Sequence, residues 1–211
     1  MKANAKKREL IWKTVEAAIT KQQHEIADNW CMLALHEVFS LSGAENLAKF
    51  GRKQLLCALG LNDAEKARAV FARMPDAARN DALTRYLMFK VSLLDWDHQL
   101  GCQSVEYLAK EADIGYSQEL LYACIREAQR AGDKMCTLSA LKATVDNWKP
   151  GTASTGSLPS VIRCSIRLIT MIEEEEKRKR LENYSELFVE DICTMFERGT
   201  LLLIVYQGTV D

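Results

Sequence analysis

Leu59-Gly60-Leu61-Asn62-Asp63-Ala64-Glu65-Lys66-Ala67-Arg68-Ala69-Val70-Phe71-Ala72-Arg73-Met74-Pro75 is the stretch whose reading decides the fold. Gly60 ends one apolar helical pattern, and Asn62-Asp63 turns the chain. Ala64, Ala67, Phe71 and Met74 then follow the spacing of a second helix, which Pro75 closes. Asn62 with Glu65 three residues later forms an N-terminal capping pattern, with Asn62 as the expected cap. Small Ala67 followed four residues on by Phe71 suits the second helix of a tetratricopeptide pair nesting against its partner. The punctuation recurs at Trp96-Asp97 and Gly132-Asp133, so the three Asp residues are 34 and 36 residues apart. A helix–turn–helix unit recurring every ~34 residues is the period of a tetratricopeptide array. One such unit cannot bury its apolar face alone, so neighbours stack into a solenoid.

Reading outward, a first helix is expected from about Ala5 to Thr20, with Leu10, Ile11, Val15, Ala18 and Ile19 at helical spacing. A second carries Ile26, Trp30, Leu33, Ala34 and Val38 and stops near Ser42-Gly43. Ser42 and Glu45 form a capping box for a third helix bearing Leu47, Phe50, Leu55 and Ala58. Beyond Pro75, Leu83, Tyr86, Leu87, Val91 and Leu94 mark a helix broken at Asp95-Trp96-Asp97, and Leu100, Val105 and Leu108 mark its partner. Ser117 opens the next pair, with Leu121, Cys124, Ile125 and Ala128 on one face, then Leu138, Leu141, Val145 and Trp148 after Gly132-Asp133. Residues 149–157 read as a loop rich in Gly, Ser and Thr. Leu158, Val161, Ile162, Ser165, Ile169 and Ile172 mark a further helix, and Tyr184, Leu187, Phe188, Ile192, Met195 and Phe196 a last one. Leu201 to Tyr206 lacks a helical period and reads as a β-prone strand without a partner strand, an aggregation hazard if exposed.

Composition narrows the function classes. Of 211 residues, 48% are apolar, with only 10 Gly and 3 Pro, which favours long helices over a turn-rich all-β fold. The net charge of −1 lacks the basic excess of a general nucleic-acid binder. Seven Cys without a CxxC spacing read as reduced thiols of a cytosolic or nuclear protein rather than a disulfide framework. The basic start, Met1 to Arg8, is followed by no continuous apolar segment, so no secretory leader is expected. No uninterrupted apolar run is long enough for a membrane span.

Chemistry-bearing residues have plainer explanations. Asp95, Asp97 and His98 are metal-ligand types, but they sit at a helix–helix turn, where Asp97 is expected to cap the helix it starts. His24 and His36 each precede a Glu, yet adjacent helical positions point apart. There is no phosphate-cradling glycine loop and no GxSxG. Catalytic, cofactor and metal residues are therefore all expected to be absent. In the run Glu173 to Arg180 every Glu has a basic residue four positions later, the favourable order on an exposed helix. A nuclear-localisation cluster at Lys177–Arg180 is the alternative. The stretch Ala67 to Pro75 also looks like the second helix of a pentatricopeptide repeat, which reads single-stranded RNA, but 99–110 and 134–148 do not repeat it.

Several blocks in order carry a resemblance: Arg52 to Leu59, Leu83 to Val91, Leu121 to Cys124, Glu127 to Gln129, Leu158-Pro159 and Arg163 to Leu168. Over residues 8–172 the chain resembles the fungal Spo-twenty-two/Zip-four family of meiotic tetratricopeptide-like scaffolds, which is similar to the animal testis-expressed protein eleven. Members of that family are several times longer, so this chain corresponds to one internal portion, and residues after about Arg198 do not resemble it. The resemblance implies a non-enzymatic nuclear protein of meiotic chromosomes, holding crossover and synaptonemal-complex proteins along a superhelical groove.

The expected architecture is an all-α, right-handed tetratricopeptide-like solenoid over 1–198, with a non-family apolar tail at 199–211. The expected partners are other proteins, with no direct nucleic acid and no membrane. A general cytosolic tetratricopeptide adaptor and a pentatricopeptide-like RNA binder are the alternatives.

Overall fold

A computed structural model describes residues 2–36, 43–111, 115–147 and 158–179, with separate positions between 190 and 201. Ten helices appear among them: α1 (Lys2–Thr20), α2 (His24–Ala34), α3 (Ala44–Gly60), α4 (Ala64–Arg73), α5 (Asp76–Arg79), α6 (Ala82–Asp95), α7 (His98–Lys110), α8 (Gly115–Ala131), α9 (Lys134–Asp146) and α10 (Leu158–Lys179). No strand occurs among the described residues, and the fold is all-α as expected.

The local chemistry of the turns is one device used four times. A helix ends with a residue in the left-handed region: Gln22 (φ 60°), Asn62 (φ 55°), Trp96 (φ 59°) or Gly132 (φ 77°). The next backbone N–H reaches back five residues, from Gln23 to the Ala18 carbonyl, Asp63 to Ala58, Asp97 to Ser92 and Asp133 to Ala128, at 2.9–3.0 Å. This satisfies a carbonyl that the helix end would otherwise orphan. At three turns the same residue caps the following helix. The N–H groups of Lys66, Leu100 and Cys136 donate to Oδ1 of Asp63, Asp97 and Asp133 at 2.8, 3.0 and 2.9 Å. The cap at Asp97 is as expected.

At the second turn the expected cap is corrected. Asn62 is the left-handed residue that ends α3, and the carboxylate of Asp63, one position closer to α4, accepts from the Lys66 amide. At α3 the cap position is held by Gly43 rather than Ser42, which lies outside the described residues. The turn at Gln22-Gln23 escaped the sequence reading because Gln makes no side-chain cap there.

Small residues flank these turns. Ala18, Ala58, Ser92 and Ala128 precede them by one spacing, and Ala27, Ala67, Gly101 and Thr137 follow by another; all eight are buried. In the hairpins α1/α2, α3/α4 and α8/α9 the two helices pack on each other, and absent bulk at these positions lets their backbones approach.

The chain divides into two compact units, residues 1–100 and 101–211, with the boundary in the first turn of α7. In the first unit each helix packs on its sequence neighbour, α1 on α2, α2 on α3 and α3 on α4, and α6 packs on both α3 and α4. One core joins Ile11, Val15, Ala27, Cys31, Phe50 and Cys57, and Trp12 meets Phe50 edge-on at 5.3 Å. A second joins Leu55, Ala58, Ala67, Val70, Leu87, Met88 and Val91. In the second unit α9 packs against both α8 and α10, and Leu121, Cys124, Leu138, Leu141, Val145, Val161 and Ile162 are buried.

Other expectations meet the structure unevenly. Pro75 closes α4, but the short α5 follows at once. α2 ends at Ala34, earlier than its apolar pattern suggested, and Val38 lies outside the described residues. So do Trp148, the loop 149–157 and residues 202–211 of the tail; Leu201 itself is helical, not strand. In the charged run, Glu175 pairs with Lys134 of α9 at 2.5 Å. Among the described residues no helix is long and apolar enough to cross a membrane.

Candidate interaction surfaces

The amphipathic logic of α2 is inverted. Its buried face consists of Ala27, Asp28, Cys31 and Ala34. The large apolar residues Ile26, Trp30 and Leu33, one stripe at spacings of four and three, are 48, 37 and 46% exposed. They were expected to form the core-facing side; the small-residue face packs instead, because it lets α2 lie close between α1 and α3. Met32, also exposed, flanks the stripe and lines an adjoining groove of about 360 Å³ with Leu47, Gly51, Val70 and Met74. Gly51 shapes that groove: a Cβ there would lie 3.1 Å from the Met74 side chain.

Asp28, on the buried face of α2, is 2% exposed. Lys66 of α4 places Nζ 2.7 Å from its Oδ2, and Gln54 of α3 donates Nε2–H to Oδ1 at 3.1 Å. The carboxylate raises the Lys66 pKa above its ordinary value, chiefly through that hydrogen bond. One buried acid therefore ties α2, α3 and α4 together. Beside it, the Cys31 thiol donates to the sulfur of Cys57, which pushes the Cys31 pKa up and pulls that of Cys57 down. Sequence spacing gave no sign of this cluster, since its members come from three helices.

The second unit has its own groove, of about 580 Å³, between α7 and α9. Its lining is apolar at Val105, Ala109, Leu138 and Ala143 and charged at Glu106, Lys110, Lys142 and Asp146.

Asp97 Oδ1 accepts the Leu100 N–H, and its Oδ2 accepts from Arg68 Nη2 at 2.8 Å. Arg68 Nη1 donates to Asp95. The Asp97 carboxyl is held below its ordinary value, first by the Leu100 amide and then by Arg68. The His98 ring meets Trp96 edge-on at 6.4 Å. His24 shares a hydrogen bond with Gln22 at 3.1 Å and lies against Gly60, where a Cβ would fall 2.4 Å from its ring. His36 is exposed beside the α2–α4 groove, and its neighbour Glu37 lies outside the described residues, as does Arg180 of the basic cluster.

No protein-family model matches this chain, and no solved structure matches it.

Proposed function

We propose that this chain is a non-enzymatic protein–protein scaffold built of tetratricopeptide-like hairpins, and that it binds a partner through the outer face of α2. The observation that carries the reading is the exposed stripe Ile26, Trp30 and Leu33 on a helix whose opposite face is already buried. A helix apolar on both sides has one side left for a partner, and contiguous exposed apolar surface marks interaction sites. The recurring turn, with its left-handed residue and Asp cap, supports the repeat architecture. The resemblance to the Spo-twenty-two/Zip-four family supplies the setting: meiotic chromosomes, in synaptonemal-complex assembly and crossover formation.

The test compares the wild-type chain with a Trp30→Glu, Leu33→Glu double variant. Both would be tagged, expressed in meiotic cells of the source organism and examined by imaging and cross-linking mass spectrometry. Chromosomal foci and cross-links to chromosome proteins, both lost in the variant, are expected. Diffuse cytoplasmic staining of the wild type would remove the meiotic setting and favour the general adaptor. Identical cross-links in wild type and variant would remove the α2 face.

A further inference from the structure

Arg73, the last residue of α4, carries a guanidinium that the fold does not use up. Among the described residues it makes one polar contact: its Nε donates to the Ala69 carbonyl, one turn back, at 3.2 Å. That bond orients the planar group and leaves both terminal nitrogens without a partner. The acids nearest in the chain are committed elsewhere, Asp76 to Arg79 and Asp63 to the Lys66 amide. Asp28 is shut in the core with Lys66 and Gln54.

The guanidinium lines the groove of about 360 Å³ that α2, α3 and α4 enclose. Met32, Leu47, Val70 and Met74 make that groove apolar, and among the described residues its lining holds no Asp or Glu. Gln54 also lines it, but its amide N–H is given to Asp28. His36, the other titratable residue of the lining, adds no negative charge. Gly51 keeps the space open. A Gly inside a helix is costly relative to Ala, yet a Cβ here would lie 3.1 Å from the Met74 side chain. The unbranched side chains of Met32 and Met74 can adapt to the shape of an apolar guest.

An apolar trough with one cation and no acid selects an apolar group that carries a negative charge. The free fork of Arg73 matches a carboxylate, which a guanidinium binds through two parallel hydrogen bonds. Met32 borders both this groove and the exposed stripe of α2, so a chain that covers the stripe can continue into the groove.

We infer that this groove receives an acidic segment of a partner protein: a leucine-sized side chain seats among Met32, Val70 and Met74, and an adjacent Asp or Glu carboxylate pairs with Arg73. This rests on the scaffold reading and adds the chemistry of the partner segment to it.

The experiment titrates the full chain, labelled at its methionine methyl groups, with acetylated and amidated Glu-Glu-Leu-Leu-Glu-Glu. Gln-Gln-Leu-Leu-Gln-Gln and Glu-Glu-Ser-Ser-Glu-Glu are the controls. The Met32 and Met74 methyl resonances are identified by their loss in Met32→Leu and Met74→Leu. Saturable shifts of both resonances with the first peptide, and with neither control over the same concentrations, are expected. Arg73→Gln should weaken binding about fivefold, the weight of a well-aligned exposed pair, with Tm unchanged because the side chain is exposed. Equal affinity for wild type and Arg73→Gln, equal affinity for the glutamate and glutamine peptides, or binding that leaves both methyl resonances in place would each overturn the proposal. The peptide comparison uses the wild-type chain alone, so it stands whatever Arg73→Gln does to folding. Unshifted methyls together with cross-links lost in the Trp30→Glu, Leu33→Glu variant would remove the groove and keep the α2 stripe. Shifted methyls with unchanged cross-links would do the reverse.

Discussion

Lys66 on α4 reaches past α3 to place its ammonium 2.7 Å from the carboxylate of Asp28 on α2. The acid is almost wholly buried, while the lysine is about one-third exposed at 34%. This asymmetry makes Asp28 the dependent partner of the pair: removing Lys66 strands a charge that water cannot reach. Lys66→Met should destabilise the chain by about 1–3 kcal/mol, less than a fully buried pair because solvent screens the lysine end. Urea denaturation would measure it. In the double variant with Asp28→Asn much of the loss should return, and a simple sum of the two single effects would show that they are not coupled.

Asp97 is both a helix cap and an ion-pair partner. Asp97→Ala should cost about 1 kcal/mol from the cap alone. Asp97→Asn keeps a capping oxygen and loses the charge. Its folded pKa is depressed from 3.8, so the charged form contributes stability that is full above that value and is lost as pH falls through the lower folded value. Thermal melts from neutral pH into acid should therefore converge for wild type and Asp97→Asn below the ordinary carboxylate range. A constant gap down to the lowest pH would contradict the assignment.

The left-handed residues should respond oppositely to substitution according to side chain. Gly132→Ala should lose about 1 kcal/mol, because its φ of 77° suits no β-carbon and open space around it offers the methyl no contact. Asn62→Gly should be neutral or slightly stabilising. Circular-dichroism melts of both variants give the comparison, and a stabilised Gly132→Ala would mean that the turn relaxes.

Binding to single-stranded RNA should be negligible in ~150 mM salt, where phosphate-driven affinity weakens strongly. The chain carries a net charge of −1, and Arg68, in the pentatricopeptide-like block, is engaged with Asp95 and Asp97. Fluorescence anisotropy with labelled oligonucleotides is the measurement, and sequence-selective submicromolar binding would favour the RNA reading over the scaffold.

The turns at 62–63, 96–97 and 132–133 were legible because their bonds are local. A left-handed residue, an N–H returning five residues and a carboxylate reaching three residues forward all lie within one short window, so residue type carries the information. Even there, Asn62 and Asp63 exchanged roles, since both side chains suit either position and backbone conformation selects between them. By itself the sequence determined an all-α fold class for the described residues and where the chain turns between helices. The core faces of α1, α3 and α6–α10 were legible as well, and tertiary structure decided the face of α2. On α2, Ala27 and Cys31 went inside and Trp30 outside, because close approach of α1 and α3 favours small side chains over hydrophobic ones. It also decided that Asp28 meets Lys66, and that Glu175 meets Lys134 of another helix. Such pairings depend on distances between helices, which residue spacing along one helix does not encode.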